Sequence, residues 1–278
     1  MVIAIEGTDG CGKKTQTDLL CQFLENKGFK VKKVSFPNYE SCSSALVKMY
    51  LNGELGENAN AINGYQASAL YAVDRFATMS TINIEDYDYI VFDRYVPSNM
   101  IHQSTRINNL NELNEFLDWV EDFEYNKLNL PKPDKILFLD VPIHISIKLA
   151  RDREVLKNGE LKDIHENDDN HLKKAYKNAK YVAKKFNWIV IDCKNNDNIK
   201  SKDEVHKDIL TKLGLKWYNI IQNLNKRKNI WILNLLANSW ENLGLIFIRI
   251  VDTWIVALFL WLEMEQQEWC LMSLVCNH

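Results

Sequence analysis

The sequence predicts an α/β protein: a five-stranded, mostly parallel sheet flanked by helices, followed by an additional helical, apolar C-terminal tail. Three observations carry that expectation. An apolar run, Val2 to Ile5, breaks into a glycine-rich turn and then a helical pattern. Four further apolar runs alternate with segments of helical spacing, the pattern of parallel strands joined by crossover helices. Beyond Lys216 the composition changes, with six of the eight tryptophans, a single glycine and no proline. A boundary therefore falls at 216, separating a domain of residues 1–216 from a tail of residues 217–278.

The first strand leads into Glu6-Gly7-Thr-Asp9-Gly10-Cys11-Gly12-Lys13-Lys14-Thr15. Gly7, Gly10 and Gly12 let the backbone curl with its N–H groups inward, the next helix adds the positive end of its dipole, and Lys13 supplies a mobile cation. Such a turn wants a polyphosphate. The spacing Gly7-x-x-x-x-Gly12-Lys13 fits the Walker A phosphate loop except at its last position, where Lys14 replaces the Ser or Thr whose hydroxyl would reach Mg²⁺. Thr15, or a water, is left to serve there. The flanks suit the motif: Leu19, Leu20, Phe23 and Leu24 recur at helical spacing over Gln16 to Asn26.

A second strand is expected over Lys30 to Phe36, closed by Pro37. Ser41 to Ser44 caps a helix through Leu46, Val47, Tyr50 and Leu51. A longer helix, from about Asn63 to Thr81, places Tyr71 and Arg75 on one face. Tyr89 to Asp93 reads as a buried strand ending in a carboxylate, followed at once by Arg94. Ligands of doubly wound sheets sit at the carboxyl ends of strands, so Asp93 and Arg94 should face the phosphate loop. There Asp93 can hold Mg²⁺, directly or through water, or merely cap a helix, and Arg94 can grip a phosphate in a fork. Leu110 to Asn126 reads as an acidic amphipathic helix with Trp119 and Phe123 inward. Lys135 to Asp140 is a fourth strand, and Pro142 opens a helix ending in Arg151 and Arg153. Glu154 to His165 has the charged, weakly periodic character of a lid or of a plain solvated loop. Glu166 to Lys185, Trp188 to Asp192 and Lys202 to Leu213 complete the pattern as helix, strand and helix.

A net charge of −3 excludes a general nucleic-acid binder, which needs a basic excess. The six cysteines show no paired-ligand spacing, so neither a zinc site nor a disulfide framework is indicated. The first strand begins at once, leaving no room for a signal segment, and a cytoplasmic location is expected. In the tail, Lys226-Arg-Lys228 precedes an apolar stretch to Leu262 and acidic residues follow, the charge order of a membrane segment. Arg249 and Asp252 interrupt it, and a helical pair packed on the main domain, a dimer interface or read-through of a disrupted gene end fits the same composition.

Taken together, E-G-T-D-G-C-G-K at Glu6 to Lys13, F-P at Phe36-Pro37, Y-A-V-D-R at Tyr71 to Arg75, D-R-Y-V-P-S at Asp93 to Ser98 with Gln103 beyond, L-D-V-P at Leu139 to Pro142, and paired Arg151 and Arg153 resemble the bacterial thymidylate kinases. These belong to the P-loop nucleoside monophosphate kinases. The resemblance covers roughly Met1 to Leu213. It implies a P-loop NTPase fold, transfer of the ATP γ-phosphoryl group to dTMP with Mg²⁺, and a homodimer. By that resemblance Gly7, Gly10, Cys11, Gly12, Lys13, Lys14 and Thr15 hold the ATP phosphates. Asp9 lies beside the sugar 3′-hydroxyl and the reacting phosphates, and Arg94 holds the dTMP phosphate. Arg75 hydrogen-bonds thymine, with Tyr71 stacked nearby and Phe36, Ser98 and Gln103 lining the pocket. Arg151 and Arg153 close over the transferring group. Four positions depart from the family pattern: Lys14, Asn38 in place of an arginine, His102 in place of a tyrosine, and His144 in place of a glutamate. With Asn38 there, Ser41 or Ser44 is left to supply grip. Two further readings stay open: a kinase for another deoxynucleotide or deoxynucleoside, and a weakly catalytic nucleotide-binding module tethered through the tail.

Overall fold

The computed structural model describes residues 1–56, 61–156, 169–195 and 198–215, and the side chains of 150–156 and 169 fall outside that description. Met1–Lys216 forms one compact unit. The expected apolar tail lies outside the described residues, as does most of the candidate lid. Among the described residues no helix is long and apolar enough to cross a membrane.

Five strands, β1 (Val2–Glu6), β2 (Val31–Ser35), β3 (Tyr89–Asp93), β4 (Lys135–Asp140) and β5 (Ile189–Asp192), form one sheet in the order β2-β3-β1-β4-β5. Every pairing is parallel. The order explains the opening sequence. β1 is central, every one of its residues is buried, and a strand covered on both faces reads as a continuous apolar run. Its alternate residues serve two cores. Ile3 and Ile5 pack with Leu20 and Leu24 of α1 (Lys13–Asn26) and with Val205 and Ile209 of a later helix, Lys202–Lys212. Val2 and Ala4 face the opposite layer with Phe92, Phe138 and the helices described next.

That layer is built by α3 (Gly64–Met79), α4 (Val96–His102), α5 (Leu110–Glu121) and α7 (Asp169–Lys185), while α2 (Ala45–Leu51) packs on α3 in a small cluster of its own; α6 (Ile143–Leu156) follows β4, and Lys202–Lys212 is α8. The start of α3 is fixed by a capping box in which Asn63 Oδ1 accepts from Gln66 N and Gln66 Oε1 accepts from Asn63 N, both at 2.9 Å.

Two local readings are corrected, and one element without a sequence signal is added. The segment expected as one helix from Leu110 to Asn126 is α-helical only to Glu121 and continues as a π-turn over Asp122–Lys127. Its buried face is Leu113, Phe116, Leu117 and Val120; Trp119, half-buried, packs against the same core as expected and stacks at 5.0 Å on Phe123, which the π-turn leaves half-buried. A short antiparallel ribbon of Lys194–Asn195 and Asn198–Ile199, too small for a periodic signal, follows β5.

Candidate active site

Register brings the chemistry together. Ile5 lies opposite Asp93 on one side and Leu137 on the other, so the carboxyl ends of β1, β3 and β4 open on one crevice. The chain runs to β2 and β3 on one side of β1 and to β4 and β5 on the other, which makes this crevice the topological switch point.

The loop between β1 and α1 closes tightly around its glycines. A Cβ on Gly7 would stand 2.6 Å from Cys11 Sγ and 3.1 Å from the Leu139 carbonyl oxygen, which leaves no room for a side chain. Gly12 ends the loop in the left-handed region, φ 88°, and caps α1. Lys13 is not the mobile cation expected from sequence. Its ammonium is buried and donates to the carbonyls of Gly7 at 2.9 Å and Thr8 at 2.7 Å, with Asp9 Oδ1 at 4.0 Å. Lys14 and Thr15 are both exposed on the first turn of α1.

Arg94 follows β3 in a left-handed conformation, φ 67°, uncommon outside glycine. Its Nη2 donates to Asp9 Oδ1, and its Nη1 lies 3.2 Å from His102 Nε2 at the end of α4. Burial alone would raise the Asp9 carboxyl, yet the positive charges of Arg94 and Lys13 hold it well below the usual carboxylate range. Asp9 therefore stays ionised between two cations. Asp93 is half-buried at the end of β3, and the helix that follows begins after Tyr95, so Asp93 does not cap it.

Glu6, to which the sequence reading gave no role, ends β1 fully buried. Its Oε1 accepts from Tyr95 N and its Oε2 from the Ser98 hydroxyl, each at 2.7 Å. These bonds tie the backbone on the far side of Arg94 to the central strand. A carboxylate closing an otherwise apolar central strand was the available signal. Burial pushes the Glu6 carboxyl from 4.5 up to about 7, against the pull of Ser98 and Arg94. The folded state then holds a proton that the unfolded chain loses above pH 4.5. The stability that Glu6 contributes is complete below pH 4.5 and is lost as pH rises through 7. Between pH 5 and pH 8 the protein should lose roughly 2–3 kcal/mol of stability relative to Glu6→Gln, most of it between pH 5 and pH 7. Urea unfolding of both proteins across that range checks it, and parallel pH curves would contradict it.

Beside this centre is a buried polar cluster. Arg75 on α3 is 2 % exposed and forks onto Glu124, Nε to Oε2 at 2.6 Å and Nη2 to Oε1 at 2.8 Å. Its Nη1 reaches the Tyr95 carbonyl at 3.5 Å. Asn99 Nδ2 donates to Glu124 Oε1 at 2.8 Å and to the Ser68 carbonyl at 3.1 Å. Tyr71, one turn before Arg75, is half-buried and meets Tyr50 edge-on at 6.3 Å. Phe36 is buried against Phe92 and Tyr95, with a cis bond to Pro37. Gln103 is buried, its Oε1 accepting from Arg106 Nη1 at 2.7 Å. Glu124 and Asn99 were not singled out in the sequence; Glu124 lies 49 residues from Arg75 and carries no local signal.

Asn38 does not offer its side chain to the crevice: Nδ2 donates to Thr78 Oγ1 at 3.2 Å and its backbone N to Asp74 Oδ2 at 2.8 Å. Ser41 Oγ accepts from Ser43, and the Ser44 hydroxyl donates to the Ser41 carbonyl at 2.9 Å. Arg151 and Arg153 lie in the last turns of α6, and their side chains fall outside the described residues.

Comparison with known proteins agrees with this geometry. A family model described as thymidylate kinase matches residues 5–209. The chain is 33% identical over 171 residues, 60% of its length and 78% of the relative's, to the thymidylate kinase of Mycobacterium tuberculosis (strain ATCC 25618 / H37Rv). It is 29% identical over 210 residues, 75% of its length and 87% of the relative's, to that of Plasmodium falciparum. Against a probable thymidylate kinase of Methanosphaera stadtmanae the match is 28% over 220 residues, 77% of this chain and all of the relative. The match spans the glycine loop, the Arg94 turn and β5, so the chain belongs to the thymidylate kinase family.

Proposed function

We propose that this protein phosphorylates dTMP to dTDP by in-line transfer of the γ-phosphoryl group of ATP. The observation that carries the reading is the convergence of Lys13 and Arg94 on one ionised carboxylate, Asp9, at the mouth of a glycine loop. Two fixed cations facing one crevice suit two phosphate-bearing substrates. Lys13 and the inward N–H groups of Gly7 to Thr15 serve the ATP phosphates, and Arg94 serves the phosphate of dTMP. Arg75, with Tyr71, Phe36, Ser98 and Gln103, forms the nucleoside pocket, and Arg151 and Arg153 neutralise charge on the transferring group. Phosphoryl transfer asks the protein for positioning and positive charge, which these residues provide.

Mg²⁺ fits the donor set. Among the described residues no group of three His, Cys, Asp or Glu side chains could hold a metal alone. Mg²⁺ favours one or two carboxylates completed by substrate phosphates and water. Asp93 supplies such a carboxylate, directly or through water, because Asp9 is engaged by Arg94. Held there, the ion would offset the negative charge of the phosphates. We assign the chemistry to residues 1–216, and we propose a homodimer, supported by the exposed apolar pair Val73 and Phe76 on α3.

The alternative of another acceptor draws on Asn38 and His102. The test is ADP release with dTMP, dUMP, dCMP, dGMP and thymidine side by side. The highest kcat/KM is expected with dTMP; clear turnover of another acceptor alongside none with dTMP would replace this reading.

A further inference from the structure

The contact between Arg94 and His102 constrains the proton inventory of the site. A guanidinium has five N–H donors, no acceptor, and stays protonated in proteins. The atom 3.2 Å from Arg94 Nη1 is His102 Nε2, so a hydrogen bond there requires Nε2 to present its lone pair. The ring must then be neutral with its proton on Nδ1. Arg94 is thereby held at two corners, Nη2 on Asp9 and Nη1 on His102 Nε2. Among the described residues, three of its five N–H groups remain for a ligand.

We propose that His102 is a positioning residue for the reaction: as a neutral imidazole accepting from Arg94, it fixes the plane of the guanidinium that receives the acceptor phosphate. The proposal rests on the reading of Arg94 as the acceptor-phosphate group, and it concerns a position where this chain departs from the family's tyrosine.

The surroundings favour the neutral ring. His102 is half-buried and faces charged or titratable groups from each neighbouring element: Asp9 and Lys13 from the phosphate loop and α1, Arg94 after β3, and His171 from α7, whose ring lies nearly parallel at 6.3 Å. Burial disfavours the imidazolium most; Asp9 works against that, while Arg94, His171 and Lys13 reinforce it, and the balance lies well below the ordinary histidine value. His171 is itself anchored, its Nδ1 lying 3.2 Å from Thr105 Oγ1. A carboxylate on one side and a neutral acceptor on the other hold Arg94 without cancelling its charge twice. A second carboxylate in place of His102 would repel the incoming phosphate.

The experiment has a structural and a kinetic arm. In ¹⁵N-labelled full-length protein at pH 7, with His102→Gln identifying the signals, the His102 ring should show a protonated Nδ1 and a bare Nε2. A protonated Nε2 overturns the proposal without reference to activity. His102→Phe should raise the KM for dTMP about tenfold, the loss expected for a hydrogen bond to a charged group, with the KM for ATP within about twofold. His102→Gln, which keeps an acceptor oxygen, should recover most of the dTMP affinity. An unchanged dTMP KM in His102→Phe, or a His102→Gln no better than phenylalanine, overturns the positioning role. A rise in the ATP KM instead, with the ring nitrogens as expected, overturns the assignment of Arg94 to the acceptor.

Discussion

Replacing Lys13 by alanine is expected to cut kcat about 10²–10³-fold, the loss seen when a preorganised group that stabilises transition-state charge is removed. The geometry makes this a loss of charge rather than of fold. The ammonium is held by the Gly7 and Thr8 carbonyls and stands 4.0 Å from Asp9, so its position at the loop mouth is set before substrate arrives. Lys13→Ala removes those contacts inside the loop, while the glycines and the apolar packing of α1 on β1 are untouched. Melting should stay within a few degrees of the parent. Single-turnover rates under saturating ATP read the effect directly, and a decrease below tenfold would show that the loop is not the donor site. Lys13→Arg should not restore the rate, since a planar fork does not replace a point charge in so closed a turn.

The second large effect lies at Arg75. The sequence places it on one face with Tyr71 and, by resemblance, on thymine; the structure adds that it is buried and forked onto Glu124. Arg75→Ala leaves a buried carboxylate whose remaining side-chain partner, among the described residues, is Asn99, and breaking such a pair costs about 3–5 kcal/mol. For a chain of this size that lowers Tm by roughly 10 °C. The same substitution should raise the KM for dTMP more than that for ATP, because Nη1 is the corner of the guanidinium turned away from Glu124. A paired change separates the two effects. Arg75→Met with Glu124→Leu removes both charges and fills similar volume, so it should regain much of the lost stability. The elevated dTMP KM should remain. If the double substitution also restores dTMP affinity, Arg75 is a packing residue and its base contact is refuted.

The parts of the protein that were legible in sequence share a physical reason. β1 is buried on both faces and so reads as an uninterrupted apolar run, and the glycine loop is written in residues that few other conformations demand. Asp93 and Arg94 were placed at the crevice because strand ends in a parallel sheet point one way. What stayed hidden depends on distant pairing. Nothing local to Arg75 announces Glu124, and nothing in β1 says that Glu6 will hold Tyr95 and Ser98, 89 and 92 residues away. The short helix Val96–His102 shows in sequence as a helix after Asp93 without bounds, although a proline at its first turn marks the start. This helix delivers His102 to Arg94. For Lys13 the sequence shows a long flexible side chain and not the two carbonyls that hold it.

The most direct test of phosphoryl transfer between the two cation sites is ³¹P NMR of the purified full-length protein incubated with ATP, Mg²⁺ and dTMP. The expected result is loss of the ATP γ resonance matched, at equal rate, by growth of the ADP and dTDP diphosphate resonances, with no inorganic phosphate. Inorganic phosphate appearing at the rate of ADP while dTMP stays intact would contradict it, for the crevice would then deliver the phosphoryl group to water and the Arg94 side would hold no acceptor.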